Sequence, residues 1–272
     1  MESALAHLGP LNLWHPEVLV LIVLLSVLYH YVAYIPRDRP PTQPVTQPVT
    51  RFQKAAFVSA LAVLYLIVGS PLAAIGEVYS FIGYSLQMAL MTMVLPRLLI
   101  YSAPVDLLDR WTELPVFGRV WRALTSPAVA VVTYNGIATL LLLPVSVNIM
   151  LSDNDAHALG QMLLMFFSLC LWWPLSRRTA NTTNLRPAGE LMYIFISYSL
   201  MMPIVIALLI TSASAFRLPA WYRVYAHTSA PHTTPIEGQI TGAVILVVFM
   251  LGSYGLRALQ AWGKMRELPT PK

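Results

Sequence analysis

Long apolar stretches alternate with short polar ones along the chain. Seven of the apolar runs reach the length of a bilayer crossing: roughly Pro16 to Tyr34, Ala55 to Ile75, Tyr79 to Tyr101, Pro127 to Leu151, His157 to Leu175, Leu191 to Ala215 and Gln239 to Trp262. A helix rises 1.5 Å per residue, so about twenty such residues cover a hydrocarbon core of ~30 Å. The fifth run is the clearest: from Ala158 to Leu175 only Gln161 and Ser168 are distinctly polar. Asp153 and Asp155 stand before it, where a helix dipole favours carboxylates, and Arg177 and Arg178 follow it. Trp172 and Trp173 precede those arginines by about one turn, the depth of an interfacial aromatic belt. The pattern predicts an all-α polytopic membrane protein, a single seven-transmembrane-helix bundle spanning 1-272.

Between the runs the character changes. The connection at 36-51 carries a proline-rich tract with a short Thr-Gln-Pro-Val repeat and reads as an extended, solvated loop. A second long connection covers 216-238, and a short tail covers 263-272. Pro96, Pro144 and Pro203 fall inside apolar runs, where each frees a carbonyl that a neighbour must satisfy, so packed kinks are expected there. Gly242, Gly252 and Gly255 in the last run are small enough to let helices approach closely.

Composition agrees with a bilayer. Hydrophobic residues make up 57% of the chain and charged residues 11%, with a mean hydropathy of +0.64, whereas a soluble domain carries about a quarter charged residues. The one cysteine, Cys170, lies within an apolar run, which excludes an intrachain disulfide and a paired-cysteine metal site and leaves it as a small core residue. Glu2, with no basic residue before the first apolar run, argues against a cleaved signal peptide.

The net charge of +5 is a matter of topology here, not of nucleic-acid binding. Arg37, Arg39, Arg51, Lys54, Arg97, Arg110, Arg119, Arg122, Arg177, Arg178, Arg186, Arg257, Lys264, Arg266 and Lys272 gather on one face, against Arg217 and Arg223 opposite. The positive-inside rule then places the N-terminus outside and the C-terminus in the cytoplasm. His157, Asp153 and Asp155 consequently belong to the outer face, with His227 and His232 of the long loop.

Few groups offer chemistry. His157 and Gln161 are four residues apart, so they share a helix face, with Met165 one turn further and Met162 adjacent. The third run adds Gln87, Met88, Met91 and Met93, and Met150 closes the outer end of the fourth. Imidazole and thioether groups suit Cu(I), a soft ion, far better than magnesium or calcium. Methionine also fills gaps in apolar cores, and a histidine at a helix mouth is often a plain interfacial group. No paired-histidine helix motif, nucleophile elbow, phosphate loop or run of intramembrane carboxylates occurs, which argues against an enzyme. Glu190 and Glu237 read as boundary acids at helix starts.

Several stretches together resemble the CtaG-type cytochrome c oxidase assembly factors of bacteria, over about Leu64 to Leu256. They are Tyr84-Ser-Leu-Gln-Met88 followed by Val94-Leu-Pro96, Asn135-Gly136 with Pro144, Ala156-His157-Ala158 leading to Trp172-Trp173-Pro174-Leu175, and Pro235-Ile-Glu-Gly-Gln239 with Gly242. Where that family carries further histidines this chain has Ile82, Tyr84, Leu142 and Gln161, and its last acidic position is Gly238; of the ligand set only His157 is kept. The resemblance implies a multi-pass protein of the bacterial plasma membrane, in contact with membrane lipid and with heme-copper oxidase subunits. It implies an accessory role in the respiratory chain, with a copper site reduced to His157, Gln161, Met162, Met165, Met88 and Met150 at the outer face. The alternative is a non-catalytic structural subunit of a larger membrane complex with no metal of its own. A small-solute transporter is less well supported, because no two similar halves are evident.

Overall fold

The computed structural model describes residues 14–34, 49–72, 81–176, 185–210 and 235–266, and every regular element among them is helical. Most of the proline-rich loop, the connection carrying His227 and His232, and the last residues of the tail lie outside the described residues. In chain order the helices are α1 (Pro16–Tyr34), α2 (Arg51–Val68), α3 (Phe81–Ala89), a π-helical turn (Leu90–Val94), α4 (Leu95–Ser102), α5 (Val105–Glu113), α6 (Phe117–Leu124), α7 (Pro127–Leu142), α8 (Pro144–Ser152), α9 (Asn154–Ser176), α10 (Pro187–Ile210) and α11 (Pro235–Arg266).

Five stretches are long and apolar enough to cross a membrane: Arg51–Val68, Phe81–Ser102, Asp155–Ser176, Pro187–Ile210 and Ile236–Arg266. A sixth is obtained if α6 and α7, bent by 74° at a short break, count as one span. α1 contains a shorter apolar helix, Pro16–Tyr31. The fourth apolar run, Pro127 to Leu151, in which a kink was expected at Pro144, is divided at Leu143, whose extended ψ of 142° ends α7 before Pro144 opens α8. The physical cause lies in Pro144, whose ring disfavours helical geometry in the residue before it. Pro203, by contrast, sits inside α10 without ending it.

Polar side chains seal the helix ends. Thr50 caps α2 in a reciprocal box with Gln53, and the Gln53 Nε2 also donates to the Ala103 carbonyl at the end of α4. At the other end of α2 the buried Gln87 Nε2 donates to the Ile67 carbonyl over 3.0 Å, and Gln239 does the same for Leu208 near the end of α10 over 2.9 Å. Carbonyls in a last turn have no intrahelical donor, and in a membrane no water replaces it. Gln87 and Gln239 supply that donor from neighbouring helices.

The π turn shows how the third span accommodates Pro96. Proline has no N–H, so the carbonyl four residues earlier, that of Thr92, loses its helical donor. The Trp172 indole N–H donates to that carbonyl over 2.8 Å from α9. Trp172 is therefore buried, at 3% exposure, and Trp173, edge-on to Trp121, is buried at 7%; neither lies in the lipid-facing belt expected of them. Sequence depth alone cannot say which way an aromatic ring faces; the orphaned carbonyl decides it.

α11 packs against α10 and α3, while α7 packs on α9 and α10, and α2 on α4. Gly242 makes the α3 contact fit, because a Cβ there would lie 2.5 Å from the Ser85 Oγ and 2.7 Å from the Phe81 ring. Gly252 and Gly255 have nothing within reach of an added Cβ, so the close approach expected of all three glycines belongs to Gly242 alone. Gly242→Ala is expected to cost about 1–3 kcal/mol as overpacking, and Gly252→Ala to be neutral or better. Thermal unfolding in detergent reads the difference. The main core joins residues of α3, α7, α9, α10 and α11, and a second cluster of Ala60, Ile67, Met91 and Leu95 seats α2 on the third span. Cys170 is fully buried, as expected of a core residue.

Candidate functional site

Near the start of α9 a small cavity is lined by Tyr84, Gln87, Met88, Met91, Met150, Gln161 and Leu164. Its volume is about 10 Å³, the room that one water or one ion requires. Met88 and Met150 are buried at 4% and 6% exposure and Met91 at 6%. These three sulfurs come from separate pieces of backbone, α3, the π turn and α8. The π turn shifts the helical register by one residue, which changes the face that Met91 presents relative to Met88. Gly160 serves Met150: a Cβ at that position would lie 2.5 Å from the Met150 Sδ, so the thioether rests against bare α9 backbone.

Beside the cavity stands a polar pair. His157, 6% exposed, places its Nε2 2.6 Å from the Gln161 Nε2, and its ring meets Tyr84 edge-on at 6.4 Å between centroids. The Gln161 amide donates into the imidazole, and Gln161 is the member of the pair that reaches the cavity wall. The Tyr84 hydroxyl and the Gln87 Oε1 are buried with no hydrogen-bond partner among the described residues. Such groups are costly in an apolar medium unless something satisfies them.

Of the six residues expected at a site, the structure brings Met88, Met150 and Gln161 to one cavity with His157 directly behind. Met165 lies a turn further on and packs on the second core cluster near Met91 and Leu95. Met162 does not join them: it is 69% exposed. The reason is angular, because at 3.6 residues per turn positions 157 and 161 differ by about 40° around the helix, while 157 and 162 differ by about 140°. Adjacency in sequence to a site residue placed Met162 on the outer surface of the bundle. Gln87 and Met91 of the third span also line the cavity, beyond the six residues expected there. Tyr84 and Gln161, two of the positions where the resemblance calls for histidine, line this same cavity, whereas Leu142, a third, is fully buried.

Among the described residues no group of three or more His, Cys, Asp or Glu comes together as a metal site. The other end of the bundle carries charge. Glu190, fully buried, lies 3.3 Å from the Arg257 guanidinium, which also donates to the Leu175 carbonyl and to Gln260. Glu190, expected as a boundary acid at a helix start, lies in the first turn of α10 and is also one half of a buried ion pair. Glu237, the other such acid, is exposed. Between the two ends runs a hydrogen-bonded line in which Asn135 donates to Ser197 over 3.1 Å and Ser197 meets the Tyr254 hydroxyl over 2.9 Å.

Helices of crossing length around a cavity lined by methionine and amide side chains define a polytopic membrane protein. The chain matches the model of the cytochrome c oxidase caa3 assembly factor family over residues 15–266. It belongs to that family. Comparison with curated proteins and with solved structures gave no match.

Proposed function

We propose that this chain serves the assembly of a caa3-type cytochrome c oxidase from within the bacterial plasma membrane, by contact with oxidase subunits and without catalysing a reaction, and that its cavity takes up Cu(I). The family membership supports the first part. The convergence of Met88, Met91 and Met150 on one ion-sized space supports the second. Thioether sulfur prefers a soft monovalent ion, and a three-sulfur wall accepts Cu(I) while offering little to hard cations. Tyr84 and Gln161 complete the wall, and His157 orients Gln161 by taking its amide hydrogen. Copper in this reading is cargo, held weakly enough to be passed on.

Seven crossings with the N-terminus outside remain the topology we favour. α1 runs antiparallel to α2, because Trp14 stacks on Tyr65 at one end and Tyr29 stacks on Phe57 at the other. Its 19 residues extend about 28 Å at 1.5 Å per residue, close to a hydrocarbon thickness. α7 and α8 together serve as the fourth crossing, and the arginine-rich end faces the cytoplasm.

Titration of purified protein with Cu(I) against a chromophoric competitor tests the site. One equivalent is expected to bind, with affinity falling at least tenfold in Met88→Leu/Met150→Leu and unchanged in Met162→Leu. Absence of stoichiometric uptake, or equal binding by the double variant, overturns the copper reading. The second reading would then stand: a structural subunit without a metal, favoured by the lack, among described residues, of any cluster of imidazole, thiol or carboxylate ligands. Stable stoichiometric co-purification with an oxidase from gentle detergent is its signature.

A further inference from the structure

At the end of the bundle opposite His157, a cleft is lined by Arg97, Tyr101, Trp172, Ser176 and Arg257. We propose that it binds the phosphate headgroup of an anionic phospholipid. Two guanidinium groups face one small space, and the only carboxylate described against them is that of Glu190, 3.3 Å from Arg257. Among the described residues the local balance is thus one positive charge in excess. Arg97 is half-buried and carries that excess: its guanidinium lies over the Trp172 ring at 4.9 Å, and no carboxylate among the described residues pairs with it.

A second observation points the same way. Arg257 is 7% exposed, and its Nε is buried with no hydrogen-bond partner among the described residues even though its other nitrogens bond Glu190, Leu175 and Gln260. An ionised group within a membrane protein that lacks a counter-charge is costly, and such groups mark binding sites. Guanidinium forks match phosphate oxygens, and basic pockets between membrane helices recognise anionic headgroups. The cleft volume of about 10 Å³ admits a single phosphate oxygen, so the headgroup rests across the mouth. The stack on Trp172 holds the Arg97 plane ready for it. A lipid is preferred over a soluble anion because Arg97 lies within the last two turns of a membrane-crossing stretch, level with a headgroup layer.

Delipidated protein in a neutral detergent, titrated with dioleoylphosphatidylglycerol and followed by native mass spectrometry and thermal midpoint, tests the proposal. One lipid is expected to be retained per chain, with a raised midpoint, and dioleoylphosphatidylcholine should do neither. Arg97→Gln is expected to weaken retention by about tenfold or more, the effect of losing one charged hydrogen bond. Arg119→Gln removes the same charge from an exposed position and should leave retention unchanged. Should Arg97→Gln fail to fold, Arg97→Lys, which keeps the charge but loses the fork, is expected to weaken retention in the same direction. Equal loss in the Arg97 and Arg119 variants, or equal stabilisation by glycerol 3-phosphate, would overturn the lipid site.

Discussion

Glu190→Ala is expected to lower the unfolding free energy by about 3–5 kcal/mol, because it leaves the Arg257 guanidinium buried without its counter-charge. The carboxylate is fully enclosed and 3.3 Å from the guanidinium, which is itself only 9% exposed, so neither water nor salt screens the loss. Glu190→Gln should cost nearly as much, since the amide keeps the shape but not the charge. The informative partner is Glu190→Leu/Arg257→Met. Removing both ions together removes two desolvation penalties with the one attraction, so the double variant should recover most of the stability lost by either single change. Unfolding in mixed micelles with increasing denaturing detergent compares the unaltered protein, Glu190→Leu, Arg257→Met and the double variant. A double variant as unstable as the sum of the singles would show that the two residues act independently and that the pair does not join α10 to α11.

That pair also marks the limit of what the sequence discloses. Apolar runs locate the helices because a bilayer imposes a minimum length, and five of the seven predicted runs correspond to helices long and apolar enough to cross. Those runs do not disclose what faces what. Glu190 and Arg257 are 67 positions apart, and nothing in either local context signals that antiparallel helices bring them to one depth. The same holds at the cavity. Residues 157 and 161 were legible as a pair from helical spacing, and their side chains do meet. Met91 was named with its neighbours but owes its place on the cavity wall to a π turn that no apolar pattern announces. Met162 was misplaced by treating sequence neighbours as neighbours on a helix face. The family frame was recoverable because small motifs around Trp172, Pro96 and Gly242 each do a structural job, namely bonding an orphaned carbonyl, orphaning it, and admitting a neighbouring helix.

The motif around Trp172 leads to the second large effect. Trp172→Ala is expected to cost about 3–5 kcal/mol as a cavity-forming change at a buried aromatic. Trp172 fills three roles at once: its ring stacks on Tyr254 at 5.4 Å, carries Arg97 on its face at 4.9 Å, and gives its N–H to Thr92. Trp172→Phe separates them, keeping an aromatic ring while deleting the donor, and should cost about 1–3 kcal/mol for the carbonyl left unsatisfied. If that carbonyl is orphaned by Pro96, restoring an N–H at position 96 must relieve the loss. Pro96→Ala combined with Trp172→Phe is therefore expected to be more stable than the sum of the single effects predicts, with a coupling of about 0.5–2 kcal/mol. Strict additivity in thermal unfolding would disconnect the proline from the indole. The third span would then owe its π turn to the packing of Met91 and Leu95 against α2, and not to the chemistry of one missing amide hydrogen.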